Sequence, residues 1–354
     1  MELMLFFVLL LLVPCFAIKK RVVEDPEILD YRSTTCIKGV LCLFVMFHNL
    51  GLDYNGNTEV MEVICEHAGG VGVGLFFFLS AFGIIKSYQK HGNKYLSKLI
   101  FVNVLKLYVI SVLINLLTYF IFFQGVFERQ DLLMRIFNLD VFNDFNRMNR
   151  HGWYISTIIG MYLIFALVYY LCSKLKTDKK FIVAAIILSC VAVGFRLGAH
   201  IADKGGMYTR ELPAFAIGVM YATFYKQTNE FFNKYFWISF ILATLGFWIG
   251  FFTWEIIATY SAALLIIIIS QRITYDNNIT LFLGKICIGV YLFLHFSSLA
   301  LQPYLSNPYW WMLLNAGFIL ELSVILYGVQ LFLQKGFNKI KQISNSKTEK
   351  KVSI

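Results

Sequence analysis

The stretch that decides the fold is Lys38-Gly39-Val40-Leu41-Cys42-Leu43-Phe44-Val45-Met46-Phe47-His48-Asn49. Between a lysine and a histidine it holds an apolar run with the content of a membrane-buried helix. An ionisable side chain in hydrocarbon costs roughly 2.5–3.5 kcal/mol at a helix centre, so such residues are kept mainly for function. Imidazole is also the side chain best suited to moving a proton near neutral pH. At 1.5 Å per residue Lys38 and His48 stand about 15 Å apart, roughly half the hydrocarbon thickness. With Lys38 at the inner edge, His48 lies at or beyond the midplane. That spacing suits a donor held by its phosphates at the inner face, with its reactive end directed into the membrane.

Similar apolar runs recur along all 354 residues, of which 58% are hydrophobic and 15% charged. Ordinary soluble domains carry about 25% charge. The fold class is therefore all-α, a polytopic membrane helix bundle of ten to eleven helices. Eleven apolar segments can be drawn, near 2–18, 35–52, 70–88, 99–123, 152–173, 181–198, 212–226, 235–253, 256–271, 280–304 and 309–334. The 212–226 segment is short and interrupted by Pro213, which suggests a tilted or broken helix. Three regions follow: an extra N-terminal helix and link over 1–31, a membrane domain over 32–334, and a basic, disordered tail over 335–354.

The net charge of +10 does not indicate nucleic acid, because the basic residues concentrate in alternate loops. With the N-terminus outside, the inner stretches hold 24 of the 31 Lys and Arg residues. The outer ones hold Arg129, Arg135, Arg147, Arg150, Arg196, Lys204 and Arg210. This bias places the tail in the cytoplasm and the protein across the plasma membrane. The N-terminal apolar run precedes its basic cluster Lys19-Lys20-Arg21, the reverse of a secretory signal, so it reads as an uncleaved helix. Seven cysteines show no CxxC spacing, which argues against a metal site or a disulfide framework. The loop from Gly125 to Gly152 mixes both charge signs; it reads as a solvated loop with a short interfacial helix, or as a rim for a polar acceptor.

A second motif is Gly69-Gly70-Val71-Gly72-Val73-Gly74-Leu75-Phe76-Phe77-Phe78-Leu79-Ser80-Ala81-Phe82-Gly83. Its glycines allow close approach of a helix or a ligand. Together with the first motif it resembles the acyltransferase type 3 family of integral-membrane acyltransferases. Further pieces agree: His151-Gly152-Trp153-Tyr154 followed by Tyr162, Arg210 to Gly218, and Gly284-Lys285-Ile286-Cys287-Ile288-Gly289-Val290-Tyr291-Leu292-Phe293-Leu294-His295. The resemblance covers about residues 32 to 330.

The resemblance implies a ten-helix core that moves an acyl group, typically acetyl from cytoplasmic acetyl-CoA, to a hydroxyl of a cell-surface polysaccharide or glycolipid. It implies His48 as the catalytic residue, a general base or a transient acyl carrier. It implies Lys38, Ser80, Lys98 and Lys106 on the coenzyme A side, and Arg210, Trp153 and Tyr291 on the acceptor side, with no metal. The expected partners are acyl-CoA, a glycan acceptor and the bilayer. Four departures stand out. Lys38 and His48 are ten residues apart where eleven is usual, Ala81 replaces a glycine, Cys287 stands where serine is common, and Ile158 and Ile159 occupy positions where many members carry a carboxylate. His295 reads as a second site histidine or a core hydrogen-bond partner, with the core reading preferred. The alternatives are an exporter of a lipid-linked or acylated glycan, for which Glu321 is the clearest mid-helix carboxylate, and an inactive scaffold relative.

Overall fold

The computed structural model describes residues 18–21, 27–53, 59–139, 152–177, 179–202, 209–301 and 308–352. The first apolar segment of the sequence reading and the second half of the 125–152 loop lie outside them. Seven helices are long and apolar enough to cross a membrane, spanning Tyr31–Gly51, Gly69–His91, Asn93–Phe122, Trp153–Ser173, Lys180–Ala202, Asn278–Leu301 and Trp310–Lys335. They belong to helices α1 (Tyr31–Asp53), α2 (Glu59–His91), α3 (Asn93–Phe122), α5 (Trp153–Ser173), α6 (Lys180–Ala202), α11 (Asn278–Leu301) and α12 (Pro308–Val352). Between α3 and α5 lies the short α4 (Arg129–Ile136). Between α6 and α11 come α7 (Leu212–Thr223), α8 (Tyr225–Lys234), α9 (Phe236–Phe252) and α10 (Glu255–Ile269). The polytopic α-helical bundle expected from the apolar runs is the observed fold.

One element differs from the sequence reading. Pro213 sits in the first turn of α7 and begins the helix rather than interrupting it, because a missing N–H costs nothing where no intrahelical acceptor exists. At 12 residues, α7 is about 18 Å long, too short to cross about 30 Å of hydrocarbon alone. The chain then turns through α8, which meets α9 at 98°. The last helix runs as backbone to Val352. The Lys, Gln and Glu residues there are good helix formers.

One face of the bundle is marked by a two-stranded ribbon. Strand β1 (Ile18–Lys20) pairs antiparallel with β2 (Ile273–Tyr275), with Lys19 opposite Thr274. Strands of three residues are too short to leave an alternating pattern in the sequence. Lys19 bonds Asp276 at 2.7 Å, and Arg32 bonds the other oxygen of the same carboxylate. These two donors hold the Asp276 carboxyl below the usual carboxylate range. Nearby, Ile28 N–H donates to the Tyr225 hydroxyl at 2.6 Å, Gln89 to the Ala222 carbonyl at 3.2 Å, and Asn93 to Ser173 Oγ at 3.3 Å. Loops that the charge count assigns to one side of the membrane thus meet on one face, here termed the ribbon face.

Helices α1 and α11 both start at this face, tied by Arg32 donating to Asn278 Oδ1 at 2.9 Å, and run side by side. Their backbones touch. A methyl group on Gly39 would lie 2.0 Å from the Thr280 carbonyl oxygen, and one on Gly284 would lie 1.9 Å from that of Thr35. Glycine at such crossings lets dispersion contacts hold helices together where lipid tails remove the hydrophobic drive. Replacing Gly284 by Ala is therefore expected to force α1 and α11 apart and to destabilise the bundle by roughly 1–3 kcal/mol. Thermal unfolding in detergent against wild type measures this. Gly317→Ala, with nothing within 4 Å, is the silent control.

On the other flank α4 folds back along α3. The Asn115 side chain donates to the carbonyls of Arg135 and Ile136 and to Asn138 Oδ1, at 3.2, 3.1 and 3.0 Å. Asn138, with φ +53°, donates in turn to Ser111 Oγ at 2.9 Å. This is the short helix expected in the 125–152 loop, pinned to α3 by two buried polar residues.

Candidate active site

Two cavities meet at Lys38. The first opens toward the ribbon face between α1, α3, α11 and α12. It measures about 340 Å³ and is lined by Lys38, Lys106 and Lys285 together with Tyr31, Gln330 and Gln334. No carboxylate lines it among the described residues. Three lysine side chains around one concave surface can attract an anion, since low-dielectric walls focus their field. The second cavity lies deeper and measures about 120 Å³. Lys38, Cys287 and Ile288 line both cavities, so the two are adjacent across these side chains.

The deep cavity combines aliphatic walls with a cluster of hydroxyls. Ser80 comes from the second motif on α2, and Tyr154 and Tyr162 come from α5, about two turns apart. Both tyrosine hydroxyls interact with Ser80. The Tyr154 ring is wedged between Phe77 and Tyr291, at centroid distances of 5.0 and 5.2 Å. Such edge-to-face packing fixes a ring orientation and so the direction of its hydroxyl. Trp153, expected on the acceptor side, instead packs edge-on against Tyr154 at 6.3 Å and lines neither cavity.

His48 lies beyond the deep cavity. Its ring rests directly on the backbone of α2 at Gly69: a methyl group there would fall 2.0 Å from His48 Cδ2 and 2.3 Å from Cγ. Gly69 is four residues before Val73, which lines the deep cavity, so the imidazole stands about 6 Å past the cavity toward the opposite face. Ten residues turn a helix through about 280°, so Lys38 and His48 leave α1 about 80° apart. Lys38 accordingly faces Cys287 of α11, and His48 faces α2. His295 is eleven residues beyond Gly284 and His48 nine beyond Gly39. Because those glycines mark a contact between parallel helices, the two imidazoles stand at levels within about one turn of each other.

The structure brings together Lys38, Lys106, Ser80 and Tyr291 of the residues singled out in the sequence. Besides Trp153 and His48, which line neither cavity, it leaves Lys98 and Arg210 aside. Lys98 is exposed at the ribbon face and lines neither cavity. Arg210 pairs at 2.5 Å with Glu211, which is only 1% exposed. Helix α7, which follows Glu211, packs on the carbonyl of Phe78 through Gly218. Phe78 lies nine residues from Gly69, about 180° around α2, so Arg210 and His48 stand on opposite sides of that helix. Glu321 is exposed and lines neither cavity. Sequence reasoning gave no role to Lys285, Tyr154, Tyr162 or Cys287, although all four fall inside quoted motifs. The missing signal was their rotation into a common space. Glu211, a carboxylate beside a basic residue at a helix start, could have been found as the partner of Arg210.

The family model described as "Acyltransferase domain" matches residues 31–332, from the first turn of α1 into α12. Neither the curated proteins nor the solved structures provide a match. With 302 of its 354 residues matched, and with the motif residues Lys38, Ser80 and Tyr291 gathered around one of two adjacent cavities, the chain belongs to the acyltransferase type 3 family and is a membrane acyltransferase.

Proposed function

We propose that this protein is an O-acetyltransferase of the plasma membrane. It takes acetyl from acetyl-CoA at the ribbon face, which is the cytoplasmic side, and delivers it to a hydroxyl of a cell-surface or capsular polysaccharide or glycolipid on the other side. In this reading the N-terminus is outside and the C-terminus cytoplasmic. The observation that carries the proposal is the pair of cavities adjacent at Lys38, one cationic and one lined by hydroxyls and aliphatic groups. The phosphates of coenzyme A suit Lys285, Lys106 and Lys38, which act as point charges. The pantetheine arm can then run past Ile288 and Cys287 to the edge of the deep cavity, leaving the acyl end to enter it.

There the hydroxyls of Ser80, Tyr154 and Tyr162 can donate hydrogen bonds to the thioester carbonyl, where negative charge develops as it is attacked. His48 removes the proton of the acceptor hydroxyl. The new C–O bond forms, the C–S bond breaks, and coenzyme A leaves as its thiol after taking up a proton. The acceptor enters from the side of His48, so donor and acceptor approach from opposite faces.

The test is transfer of radiolabelled acetyl from acetyl-CoA to glycan in native membrane vesicles, with and without the protein. Ester label that depends on the protein supports the proposal. Counterflow of glycan without covalent transfer supports an exporter, and neither signal supports an inactive relative. In the same vesicles Lys285→Ala is expected to raise the KM for acetyl-CoA about tenfold with kcat little changed. A charge-assisted contact is worth about 1.5–3 kcal/mol, and one made far from the thioester binds ground and transition states alike.

A further inference from the structure

We infer that the deep cavity is the acyl pocket and that Ile158, with Ile155 and Leu107, sets the length of the acyl chain this enzyme transfers. The inference rests on the acyl-CoA reading above and adds a measuring role that no motif assigns. The cavity shares Lys38, Cys287 and Ile288 with the lysine-lined cavity, so a thioester carried by a nucleotide anchored there would lie beside this space. Its volume is about 120 Å³. An apolar protein cavity of about 150 Å³ holds benzene, with six carbons. A space somewhat smaller takes about four or five heavy atoms: acetyl has three, propionyl four and butyryl five, whereas hexanoyl has seven.

The part of the wall formed by α5 resists displacement. Ile155 and Ile158 are each 2% exposed, belong to one helix, and carry β-branched side chains with little rotamer freedom. Close-packed interiors transmit an added methylene as strain rather than absorbing it. In a pocket of this kind one methylene changes kcat/KM by roughly 10- to 200-fold.

The experiment measures initial rates in native membrane vesicles, whose own glycan is the acceptor, with acetyl-, propionyl-, butyryl-, hexanoyl- and octanoyl-CoA. Wild type is expected to accept chains up to butyryl and to fall at least tenfold at hexanoyl. Ile158→Ala should raise the hexanoyl-to-acetyl ratio at least tenfold, and Ile158→Phe should lower the butyryl-to-acetyl ratio by a similar factor. Should Ile158→Ala not accumulate, Ile158→Val removes one methylene and should move the cut-off in the same direction. An unchanged chain-length profile in variants that still transfer acetyl overturns the inference and leaves the proposed function standing. A wild-type protein that transfers no acyl group from any of the five donors overturns the proposed function and the inference with it.

Discussion

Replacing His48 by Ala is expected to lower acyl transfer by roughly 10²- to 10⁴-fold, the range for loss of a positioned general base. The loss should fall on kcat, because the imidazole stands past the deep cavity and away from the lysines that anchor the donor. Protein abundance and thermal unfolding should stay near wild type, since His48 is only half-buried. The measurement is ester-linked acetyl on the surface glycan of a deletion strain complemented with wild type or His48→Ala, at equal membrane abundance. Restoration by both would make His48 a packing residue. His295 stands at a similar level on α11, and His295→Ala in the same strain tells whether one imidazole or two are needed.

The second large effect is expected from a residue with no side chain. Gly69→Ala places a methyl group 2.0 Å from His48 Cδ2 and 2.3 Å from Cγ. The contact reaches the root of the ring, so a tilt of its far edge does not relieve it; the whole imidazole must shift. A displacement of about 1 Å at a catalytic group can cost about 100-fold in rate. Gly69→Ala should therefore approach the His48→Ala phenotype while every ionisable residue remains. Gly83→Ala on the same helix has nothing within 4 Å and should keep full activity. Near-normal activity in Gly69→Ala would mean that the imidazole does not need this position, and the general-base role would fall with it.

Much of the site was legible because its residue types are costly where they stand. Lysine, histidine and serine within apolar helices show through a hydrophobic background. The paired motifs were enough for the family. Less legible were residues whose role depends on rotation rather than type. Tyr154 and Tyr162 are ordinary aromatics of a membrane helix until α5 turns both hydroxyls toward Ser80. Lys285 reads as one more inner-loop lysine until α11 sets it beside Lys38 and Lys106. Arg210 reads as an acceptor-side cation, yet α7 holds it against Glu211 behind α2.

The sequence by itself determined the membrane class, the helical bundle and the family, because each rests on local quantities: apolar run length, charge per loop, and motif spacing along single helices. Only the tertiary structure decided which side chains share a space. Facing is a relation between helices, and it depends on crossings such as Gly39 on Thr280 and Gly284 on Thr35, where contacting residues are more than 240 positions apart. The same reason explains the ribbon of β1 and β2, whose two strands are stabilised by pairing that neither short segment encodes alone.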